Sequence, residues 1–89
     1  MDVRKALRKA VNDSRWELSE HAERQMNDRG FSRIDVRRCL LGGKHVPNLD
    51  EDKNGTWRYR IAGTTVDGDK ISLAVIIDED VIVVTVIDT

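Results

Sequence analysis

The chain of 89 residues predicts an α+β domain in which two to three N-terminal helices pack on one face of a four-stranded antiparallel meander sheet. Three observations lead there. Before Gly43 the apolar residues recur at the three-and-four spacing of helix faces; beyond it they alternate or run continuously, as in strands; and turn residues at 50–55, 67–68 and 78–80 separate the later runs. Hydrophobic residues make up 39% and there is a single proline, so the chain is apolar enough to fold, and its length suits one core. Residues 1–89 are therefore read as a single domain.

The first helix is expected over residues 3–11. Val3, Ala6, Leu7, Ala10 and Val11 share one face, Arg4, Lys5, Arg8 and Lys9 the other, and Asp2 caps the first turn. Its basic side reads as a solvated surface or as a nucleic-acid grip. Trp16-Glu17-Leu18 is an extended link to Ser19, which caps a second helix running to about Arg29. Glu20 and Glu23 suit the positive end of that helix dipole, and Gly30 suits a left-handed terminating residue. Ser32 with Asp35 three residues later marks a capping box for the third helix, which stops at Gly42-Gly43 and buries Val36, Cys39 and Leu40.

The first strand is expected over residues 44–49, with Pro47 confining it to a sheet edge, and an acidic turn follows. The second covers residues 56–66. Trp57, Tyr59 and Ile61 point one way and Arg58 and Arg60 the other, while Gly63 suits a bulge. Asp67-Gly68 signals a two-residue hairpin, after which residues 70–77 and 81–87 form the sheet centre. These last strands are apolar on both faces, so either both sides are covered or one forms a shallow groove.

Composition narrows the function classes. No apolar run is long enough for a membrane span, and the N-terminus leads into charge rather than a signal core, so a cytoplasmic protein with no membrane partner is expected. Cys39 stands alone, which excludes an intrachain disulfide. Residues 1–45 hold 11 Lys and Arg against 7 Asp and Glu, whereas residues 46–89 hold 4 against 9. With a pI near 6.1, bulk charge does not coat nucleic acid, so any polyanion site is local. No Walker loop, dinucleotide fingerprint, nucleophile elbow or metal-ligand spacing occurs; His21, Cys39 and His45 lack zinc-site spacing, and neither a cofactor nor a metal is expected.

The densest polar stretch is residues 19–30. On an ideal helix Leu18, Ala22 and Met26 form a narrow apolar stripe, Arg29 falls within it, and His21 sits at its boundary with Gln25 and Asp28, opposite Arg24. Arg29 then satisfies helix carbonyls, pairs with a carboxylate from the sheet, or faces a phosphate. His21 either bonds to a neighbour such as Asp28 or serves as a general acid or base. Arg24 by itself reads as a solvated charge. Arg58 and Arg60 share a strand face about 7 Å apart, which fits solubility or adjacent phosphates of a single strand.

The run Leu18-Ser19-Glu20-His21-Ala22, then Arg24-Gln25-Met26, then Arg29-Gly30-Phe31-Ser32, resembles the signature of a family of small, uncharacterised bacterial domains. These open with Ser/Thr-x-His-Ala and continue through Arg and Met to Arg-Gly. Arg58-Tyr59-Arg60, the Asp67-Gly68 hairpin and the closing apolar strand extend the resemblance over most of the chain. That family is in turn remotely similar to RelE-like ribonuclease toxins, which cut RNA without metal. The resemblance implies His21, Arg24 and Arg29 as catalytic positions, Arg58, Arg60 and Tyr59 as substrate-binding positions, and RNA or the ribosome, together with an antitoxin-like protein, as partners. The alternative is a non-catalytic binding or regulatory module that uses an exposed sheet edge or groove.

Overall fold

In the computed structural model, which describes residues 1–88, local signals set each helix. Asp2 caps α1 (Val3–Asn12) by accepting the Lys5 backbone N–H, and Val3, Leu7, Ala10 and Val11 are buried along one side. Ser19 caps α2 (Glu20–Asp28) through the Ala22 N–H, and Gly30, with φ +72°, turns the chain away as the left-handed position requires. The capping box forms at α3 (Arg33–Gly42): the Ser32 hydroxyl accepts the Asp35 N–H while the Asp35 carboxylate accepts the Ser32 N–H at 2.9 Å. None of these helices is long and apolar enough to cross a membrane.

The sheet corrects the expected four-stranded antiparallel meander. It has six strands and is mixed, with β1 (Trp16–Leu18), β2 (Lys44–His45), β3 (Glu51–Lys53), β4 (Thr56–Thr64), β5 (Lys70–Ile77) and β6 (Val81–Ile87). The order is β1-β6-β5-β4-β2, and β3 pairs with β4 off that path. The expected link at Trp16 is β1, which runs parallel to β6. Three residues carry too little alternation to announce a strand; the pairing is supplied by β6, from the far end of the chain. Arg33 lies 4.1 Å over the Trp16 ring and so ties the start of α3 to this edge.

The segment expected as one strand over residues 44–49 breaks at Pro47. Proline's fixed φ and missing N–H suit the opening of a turn, and a 3-10 turn, Pro47–Leu49, separates β2 from β3. The acidic stretch expected as a turn is itself paired with β4, leaving Asn54 (φ +56°) and Gly55 (φ +81°) as the reversal. The next reversal is wider than two residues: Thr64 and Lys70 are the last pair, and the Gly68 N–H reaches the Thr65 carbonyl. The irregularity lies in β6, not at Gly63. Val83 faces Val75 and Thr85 faces Ala74, so Val84 is an extra residue.

Gly43 and Gly63 mark a close approach. A Cβ at Gly43 would lie 2.5 Å from the Cys39 carbonyl and 2.9 Å from that of Ala62, and one at Gly63 would lie 3.1 Å from the Cys39 sulfur. The end of α3 thus rests directly on β4. Buried residues of all three helices join Ile61, Leu73, Val75 and Val83 in one core on this side of the sheet. By strand alternation the other face carries Arg58, Arg60 and Ala62 on β4, Ser72, Ala74 and Ile76 on β5, and Ile82, Thr85 and Ile87 on β6. With the helices gathered on the opposite side, this is the open face of the sheet.

Candidate functional site

β1 covers the outer side of β6 only as far as Val83, whose carbonyl accepts the Ser19 N–H. Beyond that point side chains from α2 and its cap replace a strand. The Ser19 hydroxyl donates to the Val84 carbonyl, Gln25 Oε1 accepts the Val86 N–H at 2.9 Å, and Arg29 Nε stands 3.6 Å from Asp88 Oδ1. Gln25 and Arg29 are four residues apart, so they share a stripe along the helix, and His21 lies one turn earlier on it. The His21 side chain is exposed and makes no hydrogen bond or ion pair among the described residues. The His21 imidazole is therefore left uncommitted one turn before Gln25.

Arg29 is not coreward, as ideal helix geometry suggested. It closes α2 as the C-cap and spends its guanidinium on a carboxylate at the sheet end, one of the three alternatives left open for it. Arg24 also departs from the expected centre. It shares a shallow surface recess with Glu20, Glu23 and Asn27, on the side of α2 away from His21.

Arg58 and Arg60 stand together on the open face, both half-buried. Arg60 is in register with Ala74 and Thr85, so the row from Arg60 to β6 spans about 10 Å at two strand spacings. Arg58 Nε is buried without a hydrogen-bond partner. Such a donor is unusual, because desolvating it without compensation costs about 1–3 kcal/mol. Glu51 lies opposite Arg58 in register and Glu17 opposite Ile82, yet neither makes a salt bridge with the arginines. Tyr59 is separated from its neighbours by the pleat: its ring lies on the helix side, 5.6 Å edge-on from His45 and 6.4 Å from Trp57.

The structure thus sets Arg58 and Arg60 together on the β4 side of the open face, while His21 stands exposed on α2, one turn before the Gln25 that bonds β6. Arg24 and Tyr59 do not join them. A second polar cluster escaped the sequence reading. His45 Nε2 lies 2.7 Å from Asp50 Oδ2, and the other Asp50 oxygen accepts the Arg60 N–H at 2.8 Å. The Asp50 side chain is only 5% exposed, so this carboxylate pins the 3-10 turn to β2 and β4. The one available signal was a His and an Asp flanking Pro47, and its meaning depends on the turn between them. Cys39 is buried against the Ile61 carbonyl, and burial pushes its thiol pKa up to about 12. Among the described residues, no three His, Cys, Asp or Glu side chains gather as a metal-binding group.

Comparison with known proteins adds one finding. A family model described as Domain of unknown function (DUF4258) matches residues 18–88. No curated protein and no solved structure matches the chain. The matched stretch contains α2, α3 and the five strands from β2 to β6, and with them His21, Arg58 and Arg60; α1 and most of β1 precede it. The chain therefore belongs to the DUF4258 family.

Proposed function

We propose that the open face binds a single RNA strand and that His21 takes part in cutting it without metal. The observation that carries this reading is the pair Arg58 and Arg60 on one face, with the buried Arg58 Nε still lacking an acceptor. Neither guanidinium has a carboxylate partner among the described residues, which leaves both suited to phosphate oxygens. His21, exposed and uncommitted on α2 one turn before the Gln25 that bonds β6, supplies the proton-transfer group. In the reaction the 2′-oxygen bonds to phosphorus and the bond from phosphorus to the 5′-oxygen breaks, leaving a 2′,3′-cyclic phosphate and a 5′-hydroxyl. His21 accepts the 2′-hydroxyl proton or delivers one to the departing oxygen, with water completing the other transfer. Arg58 and Arg60 hold phosphates of the bound strand from the β4 side of the face.

Two residues change role in this reading. Arg29 braces α2 against the end of β6 through Asp88, and Arg24 stays at the periphery. A kinship with RelE-like ribonuclease toxins is part of the proposal, supported by the helices gathered on one side of a small sheet and the arginines on the other. The test is cleavage of end-labelled RNA, free and ribosome-bound, in the presence of a metal chelator. Wild type should yield cyclic phosphate ends, His21→Ala should slow the reaction by about 10²–10⁴-fold, and Arg24→Ala should change it little. No cleavage by wild type, or equal rates for wild type and His21→Ala, would remove the catalytic assignment.

A further inference from the structure

We propose that the groove between α3 and the outer edge of β4 docks an acidic, amphipathic segment of a partner protein. This surface is distinct from the one proposed to bind RNA, since none of His21, Arg58 and Arg60 lines it. It exists because β2 is only two residues long. β2 pairs with Ile61 and Ala62, so no strand covers the side of Gly63 and Thr64 away from β5. The end of α3 stands over that gap and leaves a groove of about 910 Å³.

The lining has the chemistry of a docking site. Leu41, Ala62, Gly63 and Ile71 supply an apolar floor, and two large apolar side chains on the rim, Ile34 and Val66, are 67% and 59% exposed. Exposed aliphatic residues beside an apolar floor gain from being covered. Arg37, Arg38, Lys44 and Lys70 surround them, and none makes a salt bridge among the described residues. Among the described residues no acidic side chain lines the groove. Asp35, whose carboxylate also feels the charge of Arg38, is occupied by backbone donors: one oxygen accepts from Ser32 and the other accepts the Val66 N–H at 2.9 Å. That second bond fastens the β4 to β5 turn to the start of α3, so one end of the groove is already in place.

Charge and lining together select the occupant. Four cations free of salt bridges among the described residues, around an aliphatic floor, match carboxylates that flank aliphatic side chains, the apolar centre and polar rim of a protein interface. Single-stranded nucleic acid would also meet the charge, but it is held by base stacking, and no aromatic ring lines the groove. The partner is thus a protein segment with alternating acidic and aliphatic residues.

The probe is a fluorescein-labelled peptide of alternating leucine and glutamate, followed by anisotropy against the full chain. Saturable binding is expected, weakened about tenfold or more by Arg38→Glu, Lys44→Glu or Ile34→Ser and unchanged by His21→Ala. Folding of each variant is checked by circular dichroism; all three side chains are exposed, so the fold should persist. Replacing leucine by serine in the peptide should abolish binding. The proposal is overturned if the leucine and glutamate peptide fails to bind, if the serine version binds equally well, if the charge reversals have no effect, or if a uridine oligonucleotide displaces the peptide. Because His21→Ala leaves this readout unmoved, failure here and failure of RNA cleavage are separate results.

Discussion

His21 is left free while its neighbours on the same helical stripe, Gln25 and Arg29, are spent on β6, and this division separates candidate chemistry from scaffold. Arg58 shows the same contrast in another form, since its Nε is desolvated with nothing to accept its proton. Cys39 is the opposite case. Its thiol, with a pKa raised to about 12 by burial, stays protonated and buried at neutral pH. A disulfide exchange reagent at pH 8 should leave the native protein unmodified and label one thiol per chain once guanidinium unfolds it. Equal rates in the two states would show that the α3 to β4 contact opens readily. The core position of Cys39 was legible from helix periodicity. The direction of Arg29 was not, because its partner Asp88 comes from the other end of the chain.

Elements were legible where their signals are local. Ser32 and Asp35 mark the start of α3 because each bonds the other's backbone across a single turn. Backbone N–H groups from Ser32 and then Val66 hold the Asp35 carboxyl below its ordinary pKa of 3.8. A depressed folded-state pKa contributes stability above the unfolded value, and that contribution is lost as pH falls through the folded value. The stability gap between wild type and Asp35→Asn, measured by urea unfolding, should be full at pH 7 and should narrow as pH drops below 3.8. A gap independent of pH would contradict it. Gly43 tests the contact between α3 and β4: its missing Cβ makes room for two carbonyls, so Gly43→Ala should cost at least about 1–3 kcal/mol in the same assay. β1 and β3 were not legible, because each is three residues long and is held by a partner strand rather than by its own pattern.

At the scale of the molecule, the sequence identified the α+β class and the helix-backed sheet, since the switch from helical to alternating periodicity at Gly43 is a property of the whole chain. The candidate site was legible in part. Pleat alternation put Arg58 and Arg60 together and Tyr59 on the far side, and helix geometry set Arg24 opposite His21, but the bond from Asp50 to His45 required the packed arrangement. Two surfaces now carry different proposals, the open face with Arg58 and Arg60 and the cationic groove beside β4. The most direct measurement is amide chemical-shift mapping of labelled protein with a DNA oligonucleotide, which lacks the 2′-hydroxyl and so binds without being cut. Shifts should gather at Arg58, Arg60, Ala74, Thr85 and His21; shifts confined to the groove between α3 and β4, or none at all, would contradict the assignment of the open face as the nucleic-acid surface.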